Sequence, residues 1–394
     1  MWLRCRRHRF CRKINDEKPG YGECRLNSKI NDSRHCLQRV RNMDELYIQL
    51  RIAAVKKETD DTFTYCFERT DGESLDYKAG QFLTFIIPLH GTEYRRSYSL
   101  SSTPGISPNP SVTVKWRENG EVSRHIIRHW QVGDVVTTLL PSGRFTLNTQ
   151  PALKRDIFLM GAGSGITPLY GLLRQALKEE PQSKVTMIYS AKNEQQTIFY
   201  NELKALASEH THRFTLLFFF SDPTEDSVFT FRRIGNTLLE TLAPKHIAYA
   251  KSDAQFFICG PLEYMRMCMF TLTFMGFAEE QLHKENFTVN TRFLIQKAGV
   301  PNDSSPKQVM LTRQGKTVAL EVAGNQNILQ TALNKGITIP YSCKGGVCGS
   351  CTARCSEGKV WMAANEVLTD KEVADGLILT CVAYPVTDVV KIEW

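Results

Sequence analysis

The sequence predicts a multidomain protein in which an antiparallel β-barrel is followed by a doubly wound α/β domain and a small cysteine-rich domain. Short strands separated by turn residues fill residues 43–150, strands alternate with helical stretches over 151–290, and cysteines cluster within 343–355. A chain of 394 residues is long enough for two or three such domains. Its 42% hydrophobic and 23% charged residues exclude a mostly disordered chain.

Residues 1–42 form a basic leader that holds the entire charge excess of the chain. They contain 12 Lys and Arg against 4 Asp and Glu, a net of +8, which equals the net charge of the whole sequence. The remaining residues are neutral overall and carry no basic stripe, so a nucleic-acid partner is not expected. The leader shows no apolar periodicity, and we predict that it is disordered or precedes the true start at Met43. A transit peptide is the alternative.

The sequence also bears on the membrane and on the cellular compartment. No run of 18 apolar residues exists, so no membrane span is predicted. There is no apolar segment typical of a signal peptide, and the 12 cysteines therefore favour a reducing, cytoplasmic location.

The first domain, residues 43–150, is predicted from short runs that alternate or are rich in β-branched and aromatic residues. Their regular spacing is typical of a closed barrel or sandwich. The runs are QLRIAAVKKE, FTYCFER, QFLTFIIPL, YSLSS, VTVKWRE and DVVTTLLPSG.

The second domain, residues 151–290, opens with a buried strand, a glycine-rich turn and a helix, in DIFLMGAGSGITPLYGLLRQALKEE. Further strands alternate with helical stretches, which predicts a parallel, doubly wound sheet. Residues 291–307 are predicted to be a linker because KAGVPNDSSPK is rich in turn residues. Residues 308–394 then begin with a hairpin around Gln314 and Gly315.

Four cysteines in the last domain have the spacing of a plant-type [2Fe–2S] site: Cys343, Cys348, Cys351 and Cys381. A zinc site is the weaker alternative, because zinc ligands usually come as two C-x2-C pairs. The segment resembles plant-type ferredoxins. That resemblance implies an α+β fold of the β-grasp type and a one-electron carrier.

Two motifs of the barrel suggest a flavin. Arg96, Tyr98 and Ser99 form an R-x-Y-S string, and Gly120 precedes a helix that Ser123 helps to open, a geometry suited to a pyrophosphate. Together with the domain order, these motifs resemble the ferredoxin–NADP reductase superfamily. The resemblance implies FAD as the flavin: Arg96 would bind phosphate, Tyr98 would pack on the ring and Ser99 would bond near its N5 edge. The other residues implied to hold the cofactor are Leu100, Lys115, Gly120, Val122 and Ser123.

Motifs of the second domain suggest a nicotinamide nucleotide. A glycine turn between a strand and a helix permits close approach of a pyrophosphate, and C-G-P and E-x-F strings follow later in the chain. A buried structural cysteine is the alternative for Cys259. The resemblance implies that NADPH or NADH is held by Gly161, Gly163, Gly165, Thr167, Pro168, Cys259, Gly260, Pro261, Glu285 and Phe287. Lys192 would pair with the 2′-phosphate of NADPH, and a solvated lysine without a ligand is the alternative.

The order of the three domains resembles the reductase components of multicomponent oxygenases, above all those of phenylacetyl-CoA epoxidase systems. This implies an oxidoreductase that passes electrons from NAD(P)H through FAD and [2Fe–2S] to an oxygenase, with catalytic roles for Tyr98, Ser99, Cys259 and Glu285. Two alternatives stay open: the acceptor is a Rieske oxygenase, another hydroxylase or a soluble electron carrier, or the protein is a non-enzymatic electron carrier.

Overall fold

The computed structural model describes residues 46–223, 233–287 and 300–394. The predicted leader and most of the predicted linker lie outside these residues. All described residues belong to one compact unit, Glu45–Trp394. Within the described ranges, no helix is long and apolar enough to cross a membrane.

The first domain is an antiparallel sheet of six strands in the order β4-β3-β6-β1-β2-β5. A bridge between Leu100 and Val112 joins the two edges of this order, so the sheet closes into the predicted barrel. The elements are β1 (Tyr47–Thr59), β2 (Thr62–Arg69), β3 (Phe82–Leu89), β4 (Thr92–Ser99), β5 (Ser111–Lys115), α1 (Glu121–His129) and β6 (Val135–Leu139).

The second domain is a parallel sheet of five strands in the order β11-β10-β7-β8-β9, with helices between the strands. Every residue of its first strand is buried, as expected where both faces of a parallel sheet are covered. The elements are β7 (Asp156–Ala162), α2 (Ile166–Glu179), β8 (Lys184–Ala191), α3 (Tyr200–Glu209), β9 (Phe214–Phe220), α4 (Asn236–Lys245), β10 (Gln255–Cys259), α5 (Leu262–Phe274) and β11 (Leu282–Glu285).

The direction of winding reverses between β7 and β10, because the chain first builds outward through β8 and β9 and then returns to the other side of β7. Ligands of doubly wound sheets bind beyond the carboxyl ends of the strands at such a switch point. The glycine turn follows β7 and the C-G-P string begins at the last residue of β10, so the topology places both at this position. The predicted doubly wound fold is confirmed.

The third domain has a mixed sheet in the order β13-β12-β18-β14-β16 and a separate pair of strands, β15 and β17. Gln314 and Gly315 both have positive φ, 48° and 75°, as a tight hairpin turn requires. The first strand begins at Pro306, two residues inside the predicted linker. The elements are β12 (Pro306–Arg313), β13 (Lys316–Ala323), α6 (Ile328–Asn334), β14 (Thr352–Glu357), β15 (Val360–Met362), α7 (Asp370–Ala374), β16 (Leu377–Leu379), β17 (Ala383–Pro385) and β18 (Val389–Glu393).

Candidate active site

A single cleft of about 1170 Å³ is lined by residues from all three domains. Ligand pockets are commonly about 300–1,000 Å³, so this cleft is large enough for a sizeable organic cofactor. Strand β4 contributes Arg96 and Ser99, and the end of β11 contributes Glu285. The loop of residues 341–351, here called the cysteine loop, contributes Cys343 and Cys348. The structure thus brings together predicted site residues that are far apart in the sequence.

Strand β4 presents alternating side chains on its two faces. Arg96 is exposed, and its guanidinium donates a 2.7 Å hydrogen bond to the carbonyl oxygen of Arg95. Tyr98 lies on the same face as Arg96, with its ring centroid 6.1 Å from that of Phe85. Burial raises the pKa of Tyr98 above its ordinary value, so the phenol stays neutral. This face offers an exposed cation beside a partly buried aromatic ring.

The other predicted cofactor residues of the barrel differ in how available they are. The side chains of Leu100 and Val122 are buried in the barrel core, so neither faces the cleft. The ammonium of Lys115 lies 2.9 Å from a carboxylate oxygen of Asp61, which already neutralises its charge. The backbone N–H of Leu100 also has a partner, because it donates a 2.7 Å hydrogen bond to the carbonyl of Gln81.

The turn before α1 depends on a glycine. A Cβ at Gly120 would lie 2.5 Å from the hydroxyl oxygen of Ser123, closer than any real contact. That hydroxyl accepts from the backbone N–H of Arg117 and donates to the carbonyl of Gly120, each at 3.2 Å. The helix begins at Glu121, and no side chain caps its first turn. Its first N–H groups therefore have no side-chain partner and can bind an anion, while the Ser123 hydroxyl holds the turn closed.

Three of the four predicted catalytic residues meet where the barrel touches the parallel sheet. The hydroxyl of Ser99 donates a 3.1 Å hydrogen bond to the carboxyl group of Glu285. Glu285 stands opposite Cys259 in the register of β11 and β10. Burial raises the pKa of Glu285 to about 8, and burial together with Glu285 raises the pKa of the Cys259 thiol. Near neutral pH the carboxyl group of Glu285 can therefore be protonated, and the thiol of Cys259 is neutral.

The backbone of the glycine turn, residues 161–168, packs directly against the backbone of the C-G-P motif, residues 259–261. A Cβ at Gly165 would lie 2.1 Å from the carbonyl oxygen of Cys259, so only glycine fits there. Gly163 has a φ of 55°, in the left-handed region that favours glycine. The hydroxyl of Thr167 donates a 3.0 Å hydrogen bond to the carbonyl of Ser164, which closes the turn at the start of α2. The turn and the string form one surface at the switch point.

The remaining residues of this surface flank that contact. A Cβ at Gly260 would lie 3.0 Å from the Cβ of Ala162, a tight fit. Gly161 lies in β7, Pro168 in the first turn of α2, and Pro261 immediately before α5. Phe287, at the end of the described range, is 40% exposed and also borders the cleft.

Lys192 has a neighbour that no sequence motif marks. Its ammonium lies 3.8 Å from a carboxylate oxygen of Asp222, and the N–H of Asp222 donates a 2.8 Å hydrogen bond to the carbonyl of Lys192. Asp222 is 30 residues downstream and reaches Lys192 only because β8 and β9 are adjacent and parallel. This carboxylate offsets the positive charge on which the predicted pairing of Lys192 with a 2′-phosphate depends.

The four predicted ligand cysteines converge. The thiol of Cys343 interacts with those of Cys348 and Cys381, and the thiol of Cys351 interacts with that of Cys381. The neighbouring thiols and backbone N–H groups hold the pKa of Cys343 well below its usual range. The N–H of Gly345 donates to the sulfur of Cys343 at 3.4 Å. Four sulfur atoms and converging amide donors are the surroundings that a thiolate-bound cluster needs.

Glycines give the cysteine loop its tight path. Gly346 and Gly349 have φ values of 74° and 72°, and a Cβ at Gly346 would lie 2.8 Å from the carbonyl oxygen of Ala364. Cys355 lies outside the group, with its sulfur 3.4 Å from the carbonyl oxygen of Glu357.

The cysteine loop contacts β4 through residues that the sequence motifs do not include. The hydroxyl of Ser97 donates a 3.0 Å hydrogen bond to that of Ser342. The guanidinium of Arg95 lies over the ring of Tyr341, 4.0 Å from its centroid. The only signal in the sequence is position: Arg95 and Ser97 lie in or beside the R-x-Y-S string, and Tyr341 and Ser342 immediately precede Cys343.

Comparisons with known proteins agree with these three sites. The oxidoreductase FAD-binding domain matches residues 49–147, the oxidoreductase NAD-binding domain matches 159–269, and the 2Fe-2S iron–sulfur cluster binding domain matches 311–386. A component of the 1,2-phenylacetyl-CoA epoxidase of Escherichia coli (strain K12) is 32% identical over 349 residues, which are 88% of this chain and 97% of the relative. This chain belongs to the family of iron–sulfur flavoprotein reductases that serve oxygenases.

Other relatives of this reductase serve different oxygenases. The ferredoxin reductase component of the 3-ketosteroid-9-alpha-monooxygenase of Rhodococcus rhodochrous is 34% identical over 364 residues, covering 88% of this chain and 96% of the relative. Among solved structures, phthalate dioxygenase reductase shares the fold with a TM-score of 0.55 and 23% identity, covering 89% of this chain and 99% of that chain. The predictions of FAD, a nicotinamide nucleotide and a [2Fe–2S] cluster as cofactors of an oxidoreductase are confirmed.

The residues of the reductase fit these groups. The cleft beside Arg96 and Ser99 has room for a flavin ring. The backbone of Gly165 packs directly against that of Cys259 at the switch point of the sheet, where doubly wound folds bind nucleotides. The convergent thiols of Cys343 and its three partners match a [2Fe–2S] ligand set.

Proposed function

We propose that this reductase takes a hydride from NAD(P)H at the meeting point of Ser99, Cys259 and Glu285 and delivers single electrons from its cysteine loop to an oxygenase. The observation that carries this proposal is the shared cleft. It is bordered by β4, here called the flavin strand, by the end of β11 and by two of the cluster cysteines. When bound, the flavin supplies the conversion between a two-electron donor and a one-electron acceptor. The residues of the chain bind, orient and shield the groups that exchange these electrons.

Each site residue has a proposed role. Arg96 neutralises flavin phosphate from its exposed position, Tyr98 packs its neutral ring on the flavin, and the free N–H groups of α1 hold the pyrophosphate. The Gly165 and Cys259 backbones form the floor of the nicotinamide site. Glu285 and Ser99 hold a proton beside the position where the hydride arrives, since the raised pKa of Glu285 keeps that carboxyl protonated at neutral pH.

We propose the oxygenase component of a phenylacetyl-CoA epoxidase as the electron acceptor. The support is the 32% identity to a component of such an epoxidase over 97% of the length of that relative. The similar identity of 34% to the reductase component of a 3-ketosteroid monooxygenase favours a second candidate acceptor, a steroid monooxygenase. A cytoplasmic location remains a prediction based on the cysteine-rich sequence.

Reconstitution with purified acceptors tests the function. Full-length protein is mixed with NADH or NADPH and, in parallel reactions, with ferricyanide, the epoxidase component and the steroid oxygenase component. We expect nucleotide oxidation with ferricyanide and product formation with the epoxidase component. Product formation with the steroid component alone would reassign the acceptor. No nucleotide oxidation with any acceptor would contradict the reductase function of this chain.

A further inference from the structure

Arg95 is a buried cation at the boundary between the barrel and the cysteine loop. Only 9% of its surface is exposed. Its Nε donates a 2.8 Å hydrogen bond to the carboxylate of Glu93, and its Nη2 donates a 2.8 Å hydrogen bond to the hydroxyl of Tyr47. These two contacts fix the plane of the guanidinium, and the planar group is charged at all ordinary pH values.

The fixed guanidinium faces a residue of the third domain. It lies over the ring of Tyr341, 4.0 Å from the ring centroid, which is well within the range of a cation–π interaction. Tyr341 is two residues before the cluster cysteine Cys343, and the ammonium of Lys344 lies 4.9 Å from the same centroid. Two cations, one of the barrel and one of the cysteine loop, therefore lie within 5 Å of the centroid of this ring.

Two ion pairs that also join the third domain to the rest of the molecule are weaker. Lys284 and Glu366 form an ion pair at 3.1 Å, but their side chains are 39% and 34% exposed. Arg144 and Glu372 form a second partly exposed ion pair. Exposed ion pairs contribute little and are screened by salt. In the contact of Arg95 with Tyr341 the cation is buried, and the ring lies two residues before the predicted ligand Cys343.

We propose that Arg95 is a positioning residue that docks the cysteine loop on the flavin strand and thereby sets the rate at which electrons pass from flavin to cluster. The inference rests on the proposed function, in which electrons follow this path. Arg96, the next residue, points to the opposite face of β4, whereas Ser97 and Ser99 share the face of Arg95. The contacts to the cysteine loop therefore lie on the same face of the strand as Ser99. Electron transfer slows steeply when two groups move apart, and a misplacement of about 1 Å can cost about 100-fold in an enzyme.

The test compares two successive steps in the full-length holoprotein. Rapid mixing with NADH or NADPH follows flavin bleaching as the first step, and the absorbance and EPR signal of the reduced cluster follow the second. We expect Arg95→Gln to slow the second step about tenfold and to leave the first unchanged. The EPR g-values and the reduction potential of the cluster should stay as in the wild type, because the ligands are not altered. Arg51→Gln is the matched control, since Arg51 is an exposed arginine of the same sheet.

Substitutions of the partner ring make the test independent of how well the Arg95 variant folds. Tyr341→Phe keeps the ring and should retain a normal second step, whereas Tyr341→Leu should slow it as Arg95→Gln does. The double variant Arg95→Gln/Tyr341→Leu should be no slower than either single variant, because both remove the same contact. A normal second step in Tyr341→Leu, or additive losses in the double variant, would overturn the proposal. Failure of the wild-type cluster to become reduced after flavin bleaching would instead refute the proposed electron path.

Discussion

Ser99 and Glu285 join two domains through one hydrogen bond of 3.1 Å, between the last residue of β4 and the last residue of β11. Burial raises the pKa of Glu285 from 4.5 to about 8, and the hydrogen bond from Ser99 acts in the opposite direction. The folded protein therefore keeps a proton on this carboxyl at pH 7, where an unfolded chain would have lost it.

This difference predicts how stability depends on pH. Because the folded pKa lies above the unfolded one, the contribution of Glu285 is fully present below about pH 4.5 and is lost as the pH rises to about 8. Glu285→Gln cannot lose a proton. Its free energy of unfolding should therefore rise relative to the wild type across this window, by at most about 1.4 kcal/mol per pH unit, and the difference should level off above pH 8. Denaturant unfolding at a series of pH values checks this.

Glu280→Gln is the control, because Glu280 is exposed and lies nearby, and this variant should show no such trend. A pH-independent difference in the free energy of unfolding between Glu285→Gln and the wild type would contradict the prediction.

The contact between Gly165 and Cys259 predicts a substitution that the nucleotide-binding domain does not tolerate. A Cβ at Gly165 would lie 2.1 Å from a backbone oxygen, which cannot move aside as a side chain can. We expect Gly165→Ala to destabilise the protein by about 1–3 kcal/mol and to raise the KM for the nucleotide. Gly235→Ala is the control, because a Cβ there meets nothing within 4 Å. Denaturant unfolding and steady-state kinetics measure both effects, and equal stability of the two variants would refute the close approach.

The four-cysteine group predicts that the cluster can be lost while the flavin reaction remains. Cys348→Ser replaces a thiolate with a hydroxyl, a harder and poorer ligand for iron in such sites. We expect this variant to lose most iron and acid-labile sulfide and to lose oxygenase reduction, while it keeps ferricyanide reduction. Cys355→Ser, outside the group, should keep both activities. Iron analysis and the two activity assays test whether Cys348 is a cluster ligand. A Cys348→Ser variant with full iron content would refute that assignment.

The pair of Lys192 and Asp222 predicts the choice of nucleotide. The carboxylate at 3.8 Å offsets the charge of Lys192, which we expect to leave only a small preference between NADPH and NADH. Asp222→Asn should lower the KM for NADPH, and Lys192→Glu should raise it more than that for NADH. Steady-state measurements with both nucleotides check these shifts. Equal changes in the two KM values would show that neither residue lies near the 2′-position.

Local sequence chemistry was sufficient to predict the order of the three folds and the cofactors, and it singled out the four cysteines that the fold brings together. The spacing from Cys343 to Cys351 places three thiols on one short loop whose glycines allow a tight path, and this depends on few distant contacts. The glycine turn at Gly165 likewise follows its strand directly. Motifs of this kind can be recognised because their residues are neighbours in the chain.

The tertiary structure alone decided which of the predicted residues meet and what else surrounds them. Lys192 and Asp222 are joined by the pairing of β8 with β9, and Leu100 and Val122 have their side chains in the barrel core although Ser99, beside Leu100, borders the cleft. No periodicity or motif records such pairings, because they arise from long-range packing rather than local propensity.

The sequence by itself determined that this chain carries a flavin site, a nucleotide site and a [2Fe–2S] site, since each depends on a short stretch whose chemistry is local. Only the tertiary structure decided that Ser99, Glu285 and Cys343 border one cleft. It also decided that the guanidinium of Arg95 lies over the ring of Tyr341 across a domain boundary. The physical reason is that the two residues are separated by more than two hundred positions. Their contact depends on how the surfaces of two folded domains fit together, and no local pattern in either domain specifies that fit.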